Sequence, residues 1–392
     1  MNASTTFPFP DHTGIDPSPQ FRELGRLGPL VPVTLRSGVP AVLVHRHQDV
    51  VQVLTDPAFS RGAAARFGLT ERSTESLALN AVDAPDHTRR RRLVAHAFTH
   101  RQTALLRPEV EALAERLVKE MTARGEQADL LADFAVPLTA TVISKLLGLE
   151  ASEVPRLLPL VERMMSTGAF GKEEVRAAHH SMFAAFETYL SGAKIDDSGL
   201  LASLRQAMLD GEEITPREAV HLAYGLLIAA YETTANQLGL CGLILLRDKA
   251  LRDQLRANPE LLPAAITEML RLTSLNATGG VPHVAQRPVS VGGVRLEAGT
   301  VVLPLTDGAN RDPEVFPQPD TFRLDRPNRP HLTFGQGRHR CPGAPLAQME
   351  LEVALATVLR LLPDLRLAVP EEDLEWRTGM YVRGVRRLPI TW

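Results

Sequence analysis

A glycine-rich segment around Cys341 carries the sharpest chemical pattern in the sequence. It reads Phe334-Gly335-Gln336-Gly337-Arg338-His339-Arg340-Cys341-Pro342-Gly343. The glycines at 335 and 337 permit a tight, bulged turn that approaches a flat ligand closely. Cys341 stands just before a predicted helix, whose free N–H groups favour the thiolate over the thiol. Because the thiolate is the form of cysteine that ligates iron, this loop predicts an iron ligand at Cys341.

A second chemical pattern is an acid beside an alcohol in the middle of a long apolar stretch. Glu232 and Thr233 lie within residues 219–246, where the only other charged or imidazole side chain is His221. A threonine hydroxyl can bond back to the preceding turn and loosen a helix locally. An acid beside an alcohol can relay protons to a reacting group. The stretch therefore predicts a proton relay within a buried helix.

Taken in order along the chain, these motifs resemble those of the cytochrome P450 family, over roughly residues 41–392. The resemblance implies a mainly α fold with smaller β sheets. It also implies a long central helix over the haem and a cysteine-ligand loop before a C-terminal helix. The implied cofactor is haem b (iron protoporphyrin IX), with Cys341 as the metal ligand. The other implied haem contacts in the loop are Phe334, Gly335, His339 and Gly343.

The resemblance assigns the catalytic role to the acid and the alcohol. Glu232 and Thr233 match the family's oxygen-activating pair, within the run Ala229-Ala230-Tyr231-Glu232-Thr233-Thr234. The sequence departs from the family pattern at Ala230, where glycine is usual. A methyl group there narrows the oxygen groove, so this departure bears on whether the reaction is ordinary hydroxylation.

Further basic and acidic side chains match two structural motifs of the family. His87 and Arg91 are four residues apart on a predicted helix, and with His283 they are implied to contact the haem propionates. Relatives more often carry arginine at the position of His283. The implied structural ion network consists of Glu268, Arg271 and Arg326. Because a half-made buried ion network is costly, loss of one partner is expected to prevent haem incorporation.

The resemblance also indicates which segments form a substrate pocket. Its walls are expected from the loop at 60–85, the helices near 153–190, the middle of the long helix and two turns after residues 271 and 379. The candidate wall residues are mostly apolar, with a few polar groups that would orient a ligand. They are Phe67, Leu79, Asn80, Met164, Met165, Ile228, Ala229, Leu275, Asn276, Thr278, Val281, Met380 and Tyr381.

The elements that must position these residues can be recognised from capping and turn patterns. Thr215-Pro216-Arg217-Glu218 predicts a capping box and a proline in the first turn of the long helix. Gly292-Gly293 between two valine-rich runs predicts a β-hairpin. Residues 1–20 are expected to form a flexible N-terminal arm, and residues 21–392 a single catalytic domain.

Composition limits the classes of partner. The 392 residues carry 43 basic and 46 acidic side chains, a net charge of −3, which predicts neither nucleic-acid nor membrane binding. Two cysteines exclude a disulfide framework and favour the cytoplasm, and Cys241 is interpreted as a packed core residue.

Electrons are expected from an external ferredoxin and ferredoxin reductase. The basic face predicted to steer that donor comprises Arg89, Arg90, Arg92, Arg338 and Arg340.

Three functions remain open at this point. The first is a haem-thiolate monooxygenase that oxidises a hydrophobic small molecule in secondary metabolism. The second is an oxidase that closes or couples rings of a cyclic dipeptide or aromatic substrate without oxygen insertion. The third is a non-catalytic haem-binding sensor, against which the relay of Glu232 and Thr233 argues because a binder needs no proton relay.

Overall fold

The computed structural model describes residues 5–9, 13–16, 18–24, 27–66, 79–192, 194–196, 198–211, 214–327 and 330–392. Phe67, which the sequence predicted to line a pocket, lies outside these residues. The chain packs as two compact units. The first unit comprises Met1–Thr88 and Thr267–Cys341, and the second comprises Arg89–Ile266 and Pro342–Trp392. The single catalytic domain over residues 21–392 stays a prediction.

Helices make up 56% of the chain, which confirms the mainly α fold class. In chain order they are α1 (Pro19–Leu24), α2 (His47–Thr55), α3 (Arg61–Arg66), α4 (Asp86–Ala95), α5 (His100–Ala123), α6 (Val136–Leu147), α7 (Val154–Met164), α8 (Lys172–Leu190), α9 (Leu200–Leu209), α10 (Pro216–Arg247), α11 (Lys249–Ala257), α12 (Leu262–Leu272), α13 (Thr306–Ala309) and α14 (Ala344–Leu361). A π-helical segment, Leu130–Ala135, leads into α6.

The strands form three small sheets. They are β1 (Thr6–Phe7), β2 (Leu30–Leu35), β3 (Pro40–Val44), β4 (Phe59–Ser60), β5 (Gln127–Asp129), β6 (His283–Ala285), β7 (Val289–Val291), β8 (Val294–Leu296), β9 (Val301–Pro304), β10 (Arg366–Leu367) and β11 (Pro389–Thr391). The first unit holds a six-stranded sheet in the order β1-β2-β3-β9-β6-β4 and the hairpin β7-β8, while the second unit holds β10-β11-β5. The hairpin has the bounds that its glycine pair predicted.

The N-terminal strand departs from the flexible arm predicted over residues 1–20. Thr6 and Phe7 pair in parallel with the last two residues of β2. Phe7 and Phe9 are buried in the hydrophobic core of the first unit, and their rings meet edge to face. Burial of two aromatic rings stabilises this segment against the sheet.

The long helix α10 forms the centre of the second unit. Its N-terminus is capped as predicted, because the Thr215 hydroxyl accepts from the Glu218 N–H and the Glu218 carboxylate accepts from the Thr215 N–H. The helix packs on α6, α8 and α14, and most of its side chains are buried. Residues Leu130–Leu147, in and before α6, are also apolar and long enough to cross a membrane, but 61% of that stretch is buried inside the protein. Such burial is typical of a core helix.

Candidate functional site

The cysteine loop folds back on itself in the first unit and leads to the half-buried thiol of Cys341, which forms no disulfide. Gly335 has a φ of +68°, a left-handed conformation that favours glycine. Its N–H donates to the carbonyl of Leu332, and the Cys341 N–H donates to the carbonyl of Phe334, each at 2.8 Å. These two bonds close the turn that presents the thiol.

A second glycine fixes the loop against α2. Gly337 has a φ of +72°, and a Cβ atom added there would lie 2.6 Å from the Leu54 carbonyl oxygen. Only glycine therefore permits both this conformation and this close approach. The sequence pattern predicted the tight turn, whereas its packing partner could only be read from the structure.

Buried basic side chains surround the loop on the same unit. The imidazoles of His87 and His339 lie with their ring centroids 4.2 Å apart. Arg61 donates from Nε to Nε2 of His283 at 3.2 Å, and His283 Nδ1 lies 2.9 Å from the Val281 carbonyl oxygen. The structure thus brings together three of the histidines that the sequence predicted, and adds an arginine.

This cluster holds far more basic groups than acids. Burial, reinforced by Arg61, lowers the pKa of His283 to about 3 and that of His339 to about 2. Burial also lowers the pKa of Arg61 to about 10, although Asp83 opposes the shift. Nε2 of His339 is buried without a hydrogen-bond partner among the described residues, and the nearest carboxylate oxygen, of Asp83, is 4.0 Å away. The cluster therefore suits a ligand that brings carboxylates into a buried site.

The metal chemistry of the loop depends on a cofactor. Among the described residues, no group of three or more His, Cys, Asp or Glu side chains is arranged to hold a metal ion. An iron at Cys341 would need a porphyrin for its other ligands, and the basic cluster fits the carboxylates that haem carries.

Cys241, by contrast, is fully buried, and burial raises the pKa of its thiol to about 12, as suits an inert core residue.

Arg89 and Arg90 of α4 do not contribute to the predicted donor-binding face. Arg89 and Arg90 both donate to the carboxylate of Glu218, at 2.6 and 2.7 Å, and Arg90 is buried. The prediction that these two residues belong to a basic face for the electron donor is therefore wrong, because they pair with Glu218 in an internal ion cluster. For Arg92, Arg338 and Arg340 the face stays a prediction. Arg91, predicted to contact a propionate, is half-buried and belongs to the second unit.

The structure brings together the three residues of the predicted ion network in the first unit. Both guanidiniums donate to Glu268, from Arg271 at 2.7 and 2.8 Å and from Arg326 at 2.9 Å. Burial pushes the pKa of Glu268 upward, but the two arginines outweigh burial and hold the pKa below its usual value. Arg271 also donates to the carbonyls of Asn310 and Pro319, so the network ties α12 to the irregular chain that follows α13.

The middle of α10 has an open face in an otherwise buried helix. Gly225, Ala229 and Thr233 are spaced by four residues and share this face; Ala229 is exposed and the other two are half-buried. The Thr233 hydroxyl donates to the Ala229 carbonyl. Ala230, the departure from the family pattern, is also half-buried beside this face. Exposed small side chains in a core helix indicate where a ligand or water can approach.

The predicted acid is held next to this face by a partner that sequence reasoning missed. Arg377 donates from Nη1 to the carboxylate of Glu232, and both side chains are almost fully buried. Asn236 binds both, since its Nδ2 donates to the Glu232 backbone carbonyl at 2.8 Å and its Oδ1 accepts from Arg377 at 3.2 Å. On the other side, Nη2 of Arg377 lies 3.9 Å from the half-exposed carboxylate of Glu162. One guanidinium thus stands between a buried acid and an acid in contact with solvent.

The candidate pocket residues fall into two groups, one on each unit. In the first unit, Asn80 is exposed, while the Asn276 side chain accepts from the Thr278 hydroxyl at 3.0 Å in a local turn. In the second unit, Met380 bridges to Ser166, and the Tyr381 N–H donates to the Met165 carbonyl at 2.8 Å. The remaining described candidates are Leu79, Leu275 and Val281 in the first unit and Met164, Ile228 and Ala229 in the second.

Comparison with known proteins gives matches over the full chain. A family model described as Cytochrome P450 matches residues 171–363. Nocardicin C N-oxygenase from Nocardia uniformis subsp. tsuyamanensis is 38% identical over 99% of this chain and 98% of its own length. The crystal structure of HinD with NMFT and NO has a TM-score of 0.94 at 38% identity and covers 100% of both chains. Cytochrome P450mel 107F1, with biaryl coupling reactivity, has a TM-score of 0.92 at 35% identity and covers 99% of this chain and 100% of its own.

Proposed function

The chain belongs to the cytochrome P450 family, and from this premise we propose that it inserts oxygen from O2 into a hydrophobic small molecule. As a family member it is an oxidoreductase of the monooxygenase type that binds haem b, and its relatives tailor secondary metabolites. The proposal includes electrons from an external ferredoxin and ferredoxin reductase, and a cytoplasmic location. The observation that carries it is the glycine loop that presents Cys341 beside a buried basic cluster.

The residues of the loop fit the cofactor. Haem b supplies an iron that, ligated by a cysteine thiolate, activates O2. Cys341 would hold the iron, and Phe334, Gly335 and Gly343 would form the loop around it. His87 and His339, whose side chains are buried in the first unit, would receive the carboxylates. Because the basic cluster is buried, each charge-assisted bond there contributes more than it would at the surface.

Glu232 and Thr233 would deliver the protons that the reaction consumes. The Thr233 hydroxyl sits on the open face of α10 and can pass a proton while it accepts another. Glu232 is buried one residue away, and Arg377 and Asn236 fix its carboxylate. Glu162, half-exposed on the far side of Arg377, offers the first contact with solvent. The arrangement supports proton supply from the surface toward Glu232 and Thr233.

Turnover with labelled oxygen tests the proposal. The protein would be supplied with ferredoxin, ferredoxin reductase, NADPH and 18O2, and screened against cyclic dipeptides and hydrophobic aromatic compounds that shift its spin state. We expect a product that carries one 18O atom. Spin-state shifts without any NADPH-dependent loss of substrate across the whole panel would favour a haem-binding sensor instead.

Ring coupling is a second candidate because of one relative and one residue. P450mel 107F1 has biaryl coupling reactivity and matches over nearly the whole chain. Ala230 adds a methyl group beside the open face of α10, where the family pattern has glycine. A coupled product would lack two hydrogens and carry no 18O, so the same experiment distinguishes the two reactions by mass.

A further inference from the structure

We propose that Arg61 binds a haem propionate and that His283 positions Arg61 for this contact. This inference rests on the haem that the family binds and assigns a residue of this chain to it. The starting observation is the basic cluster of the first unit, where the Arg61 side chain donates a hydrogen bond to His283.

Both ring nitrogens of His283 are already engaged. Nε2 accepts from the Arg61 Nε–H at 3.2 Å, so the ring proton is on Nδ1, which donates to the Val281 carbonyl at 2.9 Å. A ring in this state has no further N–H group for an anion. His283 therefore positions the cation beside it, and that cation is Arg61.

The guanidinium of Arg61 has donors left for a ligand. Its Nε is used by His283, and among the residues that the structure describes its two Nη nitrogens have no hydrogen-bond acceptor. A guanidinium offers five N–H groups in a planar fork that matches a carboxylate. Arg61 is half-buried, and its open donors lie beside buried histidines with few acids nearby, which points to an anion supplied from outside the chain.

The nearest acid, Asp83, is committed elsewhere. Its Oδ1 accepts from the backbone N–H of Arg61 at 3.2 Å, and its Oδ2 accepts from the Ser60 hydroxyl and from the Gly62 N–H at 3.1 Å. These bonds cap the start of α3 and fix the backbone of Arg61. Asp83 thus fixes the backbone position from which the Arg61 side chain extends. Its carboxylate oxygens already accept from two backbone N–H groups and the Ser60 hydroxyl.

The test is the resonance Raman spectrum of the purified ferric holoprotein, read at the propionate bending band. Arg61→Gln and Arg61→Lys should both shift this band, because each replaces the planar fork that holds the carboxylate. Haem release from Arg61→Gln should be roughly ten- to a hundredfold faster, as expected for the loss of a charge-assisted hydrogen bond. His283→Gln should shift the band less, since Arg61 remains.

Arg287→Gln is the matched control, because Arg287 lies in the same unit with a side chain that is 63% exposed and pairs only loosely with Asp56. It should leave the band and the release rate as in the parent protein. An unshifted propionate band in both Arg61 variants overturns the inference, even if haem release is faster, because faster release alone would show a structural role. If the Arg61→Gln protein does not retain haem, the propionate band of the Arg61→Lys protein tests the inference instead. A normal thiolate spectrum with an unshifted band would overturn this inference and leave the proposed function intact.

Discussion

At the scale of single residues, the proposed role of Glu232 in proton supply depends on its ion-pair partner, Arg377. A buried carboxylate needs a cation or several donors, and Arg377 is the cation that the second unit supplies. The pair lies next to Thr233, on the helix face that stays open. We therefore expect proton supply to depend on Arg377, although it lies 145 positions away in sequence.

Arg377→Gln should lower the yield of product per NADPH by about tenfold, a part of what general acid–base catalysis contributes. The haem content and the reduced carbon monoxide spectrum should not change, and Arg377→Lys should restore part of the yield. Arg163→Gln is the control, since Arg163 lies in the same unit, next to Glu162, and packs over the Phe170 ring. Equal yields in the Arg377→Gln and Arg163→Gln proteins would remove Arg377 from the relay.

Sequence patterns predict Glu232 and Thr233 as site residues because an acidic residue interrupts a long apolar helix. They do not identify Arg377, which lies in an irregular C-terminal segment with other arginines such as Arg383 and Arg386. No helical or strand period links that segment to α10. Arg61 was missed for the same reason, since an arginine at the first position of a short helix carries no signal until its buried neighbours are known.

At the scale of elements, Glu218 joins the start of α10 to the arginines of α4. Burial alone would raise its pKa, but Arg89, the Thr215 N–H and Arg90 lower the pKa to about 2. A carboxylate whose pKa is depressed in the folded state stabilises the fold above its unfolded pKa of about 4.3. That stabilisation is lost as the pH falls through 2.

Glu218→Gln should therefore flatten the acid limb of the stability curve between about pH 4.3 and pH 2. Thermal unfolding at a series of pH values measures this slope. Glu297→Gln is the control, because Glu297 is exposed and pairs with the exposed Arg295. A slope in Glu218→Gln that equals the slope of the parent protein would show that the cluster adds no stability.

The cysteine loop depends on its contact with α2. Gly337→Ala places a Cβ atom 2.6 Å from the Leu54 carbonyl, whereas Gly293→Ala meets nothing within 4 Å although its φ is also positive. Both variants carry the backbone strain of a side chain at positive φ. Gly337→Ala should lose about 1–3 kcal/mol more than Gly293→Ala in urea unfolding, as overpacking usually costs. Equal losses would mean that the loop moves away from α2 at no cost.

Elements were predictable where local chemistry decides them. The capping box set the start of α10, and Gly292-Gly293 set the hairpin β7-β8, since both patterns act within a few residues. The strand at Thr6–Phe7 was missed, because its partner β2 lies more than twenty residues away and its sequence reads as a loop. Distant pairing of short strands leaves little local signal.

At the scale of the whole molecule, the predicted fold class and family are confirmed, while the arrangement into two units was not anticipated. Each unit is assembled from two stretches that are far apart in the chain, and no composition change marks the boundaries at residues 88, 266 and 341. The role of the basic side chains also differs from the prediction. Two of the five arginines assigned to a donor-binding face, Arg89 and Arg90, belong to an internal cluster.

The central claim is that Cys341 ligates the iron of haem b as a thiolate. The most direct measurement is the absorption spectrum of the dithionite-reduced protein under carbon monoxide. We predict a strongly red-shifted Soret band, its loss in Cys341→His and its retention in Cys241→Ser. A band where histidine-ligated haems absorb, or a red-shifted band that survives Cys341→His, would contradict the claim.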